Sequence, residues 1–374
     1  MFNTDRPESC LLTPGPVTTS LTVRQAMLRD WGSRDEAFIA LTTRVRNQLA
    51  DLAGGSGTHV AVPMQGSGTF AVEAMIGTLL PRRGKLLVMV NGAYGERMVR
   101  MAETMGRCVD AVETSEDRPV DPTALDRALT ADPEITHVAV VYCETTSGIL
   151  NPMEAVAEVV ARQSRHLLID AMSAFGALPL DAARTPFDAV AAAANKCLES
   201  VPGVSFVVAR KEALERAKGN AHSLSLDLHQ QWRGFTENGQ WRFTPPTHVL
   251  AALALALDEH AAEGGVDGRS TRYRSNCRIL INGMRALGFR TFLTDADQAP
   301  IIVTFHTPAD PAFVFEVFYD RLRRRGFVIY PGKLTSARSF RIGCIGRLGE
   351  TEMRCALAAI RATLEEMGVT SGRP

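Results

Sequence analysis

Between residues 20 and 210 the chain alternates short, continuous apolar runs with longer amphipathic stretches, and this pattern constrains the fold more than any other feature. Apolar runs without polar alternation are typical of strands that are buried on both faces, and the intervening stretches have the length and pattern of helices. We therefore predict a mostly parallel α/β sheet with helices on both faces. The predicted strands are HVAVPM (59–64), KLLVMV (85–90), HVAVVYC (137–143), HLLID (166–170), DAVAAAA (188–194) and SFVVAR (205–210).

The region after about residue 250 is organised differently. A long alanine-rich helix pattern, THVLAALALALDEHAAEGG, is followed by the strand candidates IIVTFH, FVIYPG and SFRIGCIG, and then by a final helix pattern. A chain of 374 residues also exceeds the size at which a single core keeps growing. We predict an N-terminal segment (1–18) that packs with the small domain, a large domain (19–256) and a smaller α+β C-terminal domain (257–374).

Composition narrows the class of protein. The formal net charge is zero, which argues against a nucleic-acid partner held through phosphate contacts. No apolar run is long enough to span a membrane, and MFNTDRPESC lacks the pattern of a signal peptide, so we expect a cytoplasmic protein without a membrane partner. The seven cysteines contain no C-x-x-C pair and the eight histidines show no metal-ligand spacing, so we predict free thiols and no metal site.

A small-residue turn lies between the first predicted strand and the following helix pattern, in VPMQGSGTFAVEA (62–74). Gly66 and Gly68 allow close approach of the backbone, Ser67 and Thr69 supply hydroxyls, and a helix N-terminus attracts anions. The turn predicts a phosphate site, although an ordinary strand–helix turn is the simpler interpretation. A dinucleotide site also requires an acidic residue roughly 20 residues further on, where this chain has Asn91.

Two ionisable residues follow predicted strands. Asp170 ends HLLID, and Lys196 comes 26 residues later, just after a run of alanines. A capping aspartate and a loop lysine are the simpler interpretations. However, a phosphate-binding turn, a strand-end aspartate and a strand-end lysine, in this order, are expected of an enzyme that uses pyridoxal 5'-phosphate. Ligands of such sheets bind at the carboxyl ends of the strands, where these residues fall.

The chain resembles the fold-type-I aminotransferases of the alanine–glyoxylate group over almost its whole length. The resemblance implies pyridoxal phosphate as cofactor, and a mostly parallel seven-stranded sheet with a smaller C-terminal domain. The segments that carry the resemblance are LLTPGPVTTS (11–20), QGSGTFAVEA (65–74), NGAYGERM (91–98), ETTSGILNP (144–152), IDAMSAFG (169–176), ANKCLESVPG (194–203), SLSLDL (223–228), QWRFTPPTH (240–248), GFVIYPGK (326–333) and FRIGCIG (340–346).

The resemblance also implies roles for individual residues. Lys196 would form a Schiff base with the cofactor and move protons, while Asp170 would keep the ring nitrogen protonated. Thr244 would reach the phosphate in a partner subunit's site, which implies a homodimer with shared active sites. The other implied cofactor-binding residues are Ser67, Gly68, Thr69 and Asn195 at the phosphate, Tyr94 and Met172 on the two ring faces, and Thr145 or Thr146 near the ring oxygen.

For the substrates, the resemblance implies that Arg341 binds the acidic group and that Gly15 lies beside it. The segments LLTPGP, SLSLDL and FVIYPGK are similar to those of family members that transfer an amino group from 2-aminoethylphosphonate to pyruvate. We therefore expect these two small-molecule substrates. Arg233, Arg242 and Lys333 are further candidates to neutralise a doubly charged phosphonate, or are surface residues.

Three alternatives stay open at this point. The same chemistry on alanine or serine with glyoxylate uses the same cofactor residues. A dinucleotide-binding oxidoreductase is disfavoured by Asn91. A regulator that keeps the fold without catalysing a reaction usually carries a basic helix-turn-helix module, which we do not recognise here.

Overall fold

The computed structural model describes residues 8–374 and contains the predicted alternation of strands and helices. In this range the helices are α1 (Leu21–Gln25), α2 (Glu36–Leu52), α3 (Gly68–Leu79), α4 (Ala93–Thr104), α5 (Pro122–Ala131), α6 (Met153–Arg162), α7 (Lys211–Arg216), α8 (Leu228–Asn238), α9 (Thr247–Ala262), α10 (Gly265–Ala286), α11 (Phe315–Arg324) and α12 (Glu350–Met367), with a 3-10 turn at Ala26–Leu28. The strands are β1 (Cys10–Leu11), β2 (His59–Gln65), β3 (Lys85–Val90), β4 (Cys108–Glu113), β5 (Ile135–Val141), β6 (Cys143–Glu144), β7 (Ile149–Leu150), β8 (His166–Asp170), β9 (Ala189–Ala193), β10 (Val204–Arg210), β11 (Ile302–His306), β12 (Phe327–Val328), β13 (Tyr330–Pro331) and β14 (Ser339–Gly343).

The central sheet has seven strands in the order β2-β10-β9-β8-β5-β3-β4. Only β10 runs against its neighbours, because it pairs antiparallel with both β2 and β9. The six predicted strands are therefore confirmed, and so is the mostly parallel sheet. The seventh strand, β4, was not predicted because its sequence, CVDAVE, contains no continuous apolar run and it lies exposed at the sheet edge.

Both faces of the sheet are buried, which explains why its central strands read as continuous apolar runs. Along β5, Val138 and Val140 belong to one core cluster, whereas Ala139 and Val141 belong to the cluster on the opposite face. Helix α3 packs in the second cluster and helix α6 in the first. The helices on the two faces therefore fix the sheet on which the candidate site is built.

A smaller sheet, β11-β14-β13, forms the centre of the C-terminal part, where IIVTFH, SFRIGCIG and the final helix are confirmed as predicted. FVIYPG is instead divided into two short strands, β12 and β13, which belong to different sheets. Its core cluster includes Leu12, and β1 pairs parallel with β12. The domain limits at residues 18 and 256 stay predictions: the second falls inside the continuous helix α9, and residues 1–7 lie outside the described part. Within residues 8–374, no helix is long and apolar enough to cross a membrane.

Five strands, β2, β3, β5, β8 and β9, end at the same edge of the central sheet, because they run in the same direction. The loops that follow these strands carry most of the polar residues singled out above. This edge is where ligands bind in open α/β sheets, since the connecting loops leave a crevice there.

Candidate active site

A cavity of about 180 Å³ opens at this edge of the sheet. It is bounded by the loops after β2, β3, β5, β8 and β9. The first and the last of these loops are more than 100 residues apart in the sequence. The fold thus brings together nine of the predicted site residues, which line the cavity: Ser67, Gly68, Thr69, Tyr94, Thr145, Asp170, Met172, Asn195 and Lys196.

Lys196 follows β9 and points its amine at the N-terminal segment. Its Nζ donates a hydrogen bond to the carbonyl oxygen of Pro14 at 2.8 Å. Gly15 is in the left-handed region with φ of 123°, and a Cβ there would overlap the Lys196 side chain. Burial lowers the pKa of the Lys196 ammonium below its ordinary value. The Lys196 amine therefore has a fixed direction and a pKa below its ordinary value at the cavity, and Gly15 contacts it although Gly15 lies outside the cavity lining.

Asp170 ends β8 and is 5% exposed. Its Oδ1 accepts a hydrogen bond from the backbone N–H of Met172 at 2.9 Å. Burial, with a smaller contribution from Glu144, raises the pKa of the Asp170 carboxyl to about 6. A buried carboxylate without a cationic partner is unfavourable. The aspartate therefore suits a ligand that brings a positively charged N–H into the cavity.

The turn after β2 leads directly into the N-terminus of α3. Ser67 is the N-cap of this helix, but its hydroxyl makes no capping hydrogen bond. A Cβ on Gly68 would overlap the sulfur of Met172, so glycine lets the Met172 side chain pack against the start of the helix. Free N–H groups and the positive end of a 12-residue helix favour an anion here.

Glu144 is a completely buried carboxylate that sequence reasoning missed. It accepts hydrogen bonds from the backbone N–H groups of Tyr94 at 3.1 Å and Gly95 at 3.3 Å, and from the hydroxyl of Thr146 at 2.5 Å. Burial raises the pKa of Glu144. The carboxylate fixes the start of α4 and thereby the Tyr94 side chain. A carboxylate beside TTSG was visible in the sequence, but nothing there indicated its partners.

Of the two predicted threonines, only Thr145 lines the cavity. The hydroxyl of Thr146 donates to Glu144 and accepts from the backbone N–H of Ala93 at 3.2 Å. It is therefore turned toward α4. The sequence could not separate the two residues, since both are threonine.

Four cationic side chains, Arg97, Lys333, Lys196 and Arg341, act on Tyr94. The Arg97 guanidinium lies 4.7 Å from the centroid of the Tyr94 ring, and the Lys333 amine lies 5.3 Å from it. Burial alone would raise the pKa of Tyr94, but Lys333, Thr145, Lys196 and Arg341 together lower it below its ordinary value. Arg97 was missed by sequence reasoning, although its position three residues after Tyr94 on a helix places both on one face.

Arg341 is 2% exposed and lies on β14, outside the cavity lining. Its Nε donates to the carbonyl oxygen of Pro331 at 3.0 Å, and its Nη1 donates to the carbonyl oxygen of Thr145 at 2.8 Å. Burial lowers the pKa of the guanidinium below its ordinary value. Two backbone carbonyls therefore hold this arginine rigidly beside the cavity-lining Thr145.

Three other candidates lie outside the cavity lining. Thr244 is exposed in this chain. Arg233 forms an ion pair with Glu237 at 3.0 Å, within one helix. Arg242 donates to the carbonyl oxygen of Leu224 at 3.1 Å. These contacts give the two arginines local roles, and Thr244 makes no contribution to its own chain's cavity.

The residues around the cavity fit pyridoxal phosphate. The buried carboxylate of Asp170 matches a protonated ring nitrogen, the α3 N-terminus matches the phosphate, and Lys196 supplies the amine. Tyr94 and Met172 provide an aromatic and a thioether surface for a flat ring. The fold and the cavity together define a pyridoxal-phosphate-dependent enzyme of fold type I.

Comparison with known proteins narrows this class. The family model for aminotransferase class V matches residues 20–317. A 2-aminoethylphosphonate–pyruvate transaminase of Burkholderia lata is 56% identical over 359 residues, which cover 96% of each chain. The corresponding transaminase of Pseudomonas aeruginosa is 54% identical over 359 residues, covering 96% of this chain and 97% of the relative. The chain belongs to the class-V aminotransferase family and is a pyridoxal-phosphate-dependent aminotransferase.

Solved structures of the same fold are more distant in sequence. A ureidoglycine–glyoxylate aminotransferase from Bacillus subtilis superposes with a TM-score of 0.90 at 22% identity, covering 99% of this chain and 96% of that one. An alanine–glyoxylate aminotransferase from Nostoc sp. gives a TM-score of 0.90 at 24% identity, covering 97% of both chains. At these identities the likeness establishes the fold, and the predicted fold type is confirmed.

Proposed function

We propose that this aminotransferase transfers an amino group from 2-aminoethylphosphonate to pyruvate, giving phosphonoacetaldehyde and alanine. The observation that carries the proposal is the identity of 56% with a transaminase of that name, spread over 96% of both chains. Several further relatives at 54–55% identity have the same name. Likeness at this level over the whole length includes every loop that bounds the cavity.

We propose that the residues around the cavity bind pyridoxal phosphate in the way their chemistry indicates. Asp170 pairs with the ring nitrogen, because an ionised buried carboxylate needs a cationic partner. Ser67, Gly68 and Thr69 bind the phosphate at the α3 N-terminus. Tyr94 packs on one ring face. We place Met172 on the other face, Asn195 near the phosphate, and Thr145 rather than Thr146 near the ring oxygen.

When bound, pyridoxal phosphate supplies an electron sink for the carbon that carries the amino group. Lys196 holds and returns the proton of that carbon through its Nζ. Its lowered pKa suits this task, because a general base works best when its pKa is close to the working pH. The hydrogen bond to Pro14 and the contact with Gly15 orient the amine toward the cavity.

The acidic group of each substrate binds to Arg341. This guanidinium is fixed by Pro331 and Thr145, and it is planar, so that it can bind either a carboxylate or a phosphonate through two parallel hydrogen bonds. Two half-reactions with chemically different partners can therefore share one binding residue. Amino transfer between alanine or serine and glyoxylate is the second assignment raised by the sequence. The two glyoxylate aminotransferases of known structure compared above are less than 25% identical to this chain, so they support only the fold.

We also propose a homodimer with shared active sites. The supporting observation is that Thr244 lies exposed beside Phe243, which is 49% exposed, and near Leu224, which is 74% exposed. Large exposed apolar side chains are typical of surfaces that pack against another subunit. In the dimer, Thr244 would reach the phosphate bound by the partner. Sedimentation equilibrium measures the assembly directly, and a monomer at micromolar concentration would contradict it.

We propose a cytoplasmic location because the cysteines are free thiols. All seven cysteines lie in the described part and none forms a disulfide. Free thiols are usual in reducing compartments.

The test is a product assay on the protein loaded with pyridoxal phosphate. With 2-aminoethylphosphonate and pyruvate, phosphonoacetaldehyde and alanine should form in equal amounts, and the Lys196→Ala variant serves as the inactive control. Alanine formation at the rate of that control would contradict the proposed donor.

A further inference from the structure

The segment 332–338, which joins β13 to β14, crosses from the small sheet to a loop of the central sheet. The carboxylate of Glu116, between β4 and α5, accepts hydrogen bonds from four donors of this segment. The donors are the backbone N–H and the hydroxyl of Thr335, each at 3.1 Å, and the backbone N–H and hydroxyl of Ser336, at 3.3 and 2.9 Å. One carboxylate thus holds the middle of an exposed segment.

The loop that carries Glu116 is itself fixed to the site edge of the sheet. The buried amide of Asn91, at the end of β3, donates to the carbonyl oxygen of Arg118 at 3.1 Å and to Asn151 at 2.8 Å. Asn151 in turn accepts from the backbone N–H of Val120 at 3.0 Å. The loop of Glu116 is therefore anchored, through Arg118 and Val120, to Asn91 and Asn151, and Asn91 lies three residues before Tyr94 in the sequence.

The same segment carries Lys333, whose amine lies 5.3 Å from the centroid of the Tyr94 ring. Lys333 is exposed at the mouth of the site. Within residues 8–374, Lys85 is the only lysine that forms an ion pair, so Lys333 has no carboxylate partner there. Its positive charge is thus not neutralised within the described chain. The segment begins after Pro331, whose carbonyl oxygen holds Arg341. Lys333 therefore lies two residues after the carbonyl group that holds Arg341.

The proposed substrates differ in where their acidic group lies. In alanine the carboxylate is attached to the carbon that carries the amino group. In 2-aminoethylphosphonate one further carbon separates the two groups, and a phosphonate, like a phosphate monoester, carries more than one negative charge near neutral pH. Arg341 is held by two carbonyls and supplies a single charge in one place. A second cation on a flexible stem, nearer the mouth, suits the larger and more distant anion.

We propose that Lys333 binds the second negative charge of the phosphonate, and that Glu116 positions it by holding Thr335 and Ser336. Lys333 then determines the preference for the phosphonate donor over carboxylate substrates. The inference rests on the proposed function, because it names the residue that separates its two half-reactions. Glu116 touches neither substrate nor cofactor and is a positioning residue.

The test compares the two half-reactions in variants of the intact, cofactor-loaded protein. In Lys333→Met, the ratio of kcat/KM for 2-aminoethylphosphonate to kcat/KM for alanine should fall about 10–100-fold, the effect of losing one charge-assisted hydrogen bond. Most of the fall should be in KM. Lys333→Arg keeps the charge and should restore the ratio to within about threefold of wild type. Glu116→Gln should lower the ratio in the same direction by a smaller factor, because its amide oxygen can accept the hydrogen bonds but carries no negative charge.

Asp117→Asn is the matched control, since its exposed carboxylate stands next to Glu116 and makes none of the four hydrogen bonds. Calorimetric titration with ethylphosphonate and propionate, which lack the amino group, provides a readout without turnover. Lys333→Met should weaken ethylphosphonate binding about 10-fold or more and leave propionate within about threefold. An unchanged ratio in Lys333→Met, or an equal loss for both acids, would overturn the inference. A wild-type protein that does not convert 2-aminoethylphosphonate would instead overturn the proposed function, and the titration would still test Lys333.

Discussion

The Asp170→Asn variant of the cofactor-free protein tests whether the buried carboxylate is a preformed partner for a cation. In the folded chain the pKa of Asp170 is raised from its ordinary 3.8 to about 6, first because of burial and then because of Glu144. A pKa change of about 2 units corresponds to about 3 kcal/mol of free energy between the two protonation states. That energy is the penalty that a cationic ring nitrogen would remove.

The sign follows from the raised pKa. Because the folded state holds the proton more tightly than the unfolded state, the contribution to stability is fully present below about pH 4 and is lost as the pH rises through about 6. The asparagine variant has no proton to lose. Its free energy of unfolding minus that of wild type should therefore increase by about 2.4 kcal/mol between pH 4 and pH 7.

Urea unfolding followed by circular dichroism, at several pH values between 4 and 7, measures this difference. Asp310→Asn is the control, because hydrogen bonds from Ala312 and Thr370 lower the pKa of Asp310. Its difference from wild type should be flat over the same range. A difference for Asp170→Asn that also stays flat, within about 1 kcal/mol, would show that the carboxylate is not destabilised by burial and would refute the reasoning.

Substitutions at Gly15 and Glu199 test the surroundings of Lys196. Gly15→Ala places a Cβ on the lysine side chain at a φ of 123°, so we expect slower cofactor binding, measured by absorbance, and a lower free energy of unfolding. Glu199, at a φ of 56°, is buried and binds Arg272 at 2.7 Å and Tyr273 at 2.5 Å. Glu199→Leu leaves Glu263 as the remaining carboxylate partner of Arg269 and Arg272 and should lower the free energy of unfolding by about 1.5–3 kcal/mol, with Glu199→Gln closer to wild type. Equal effects of leucine and glutamine would contradict the charge argument.

Much of the fold could be predicted because strands buried on both faces leave a simple pattern. Strand β8 and the alanines of β9 were visible as apolar runs, so that Asp170 and Lys196 could be placed at one sheet edge. Strand β4 was missed because an exposed edge strand has no such run. The pattern of apolar residues reflects burial, so it gives a weak signal where a strand is only partly buried.

The candidate site was predicted less completely than the fold. Glu144 and Glu116 were missed because each accepts hydrogen bonds from backbone N–H groups far away in sequence. Arg97 was missed although its partner, Tyr94, is only three residues away on the same helix. Thr145 and Thr146 could not be separated, because the direction of a side chain depends on the path of the backbone. Hydrogen bonds to the backbone leave no residue-type signal at the partner position. The structure was needed to find them.

The central claim is that a class-V aminotransferase cavity in this chain takes its amino group from 2-aminoethylphosphonate. The most direct measurement mixes the protein loaded with pyridoxal phosphate, without any acceptor, with 2-aminoethylphosphonate, alanine or serine, and follows the absorbance of the bound cofactor. We expect 2-aminoethylphosphonate and alanine to convert the cofactor and serine to react far more slowly. Conversion by alanine or serine without any conversion by 2-aminoethylphosphonate would contradict the claim.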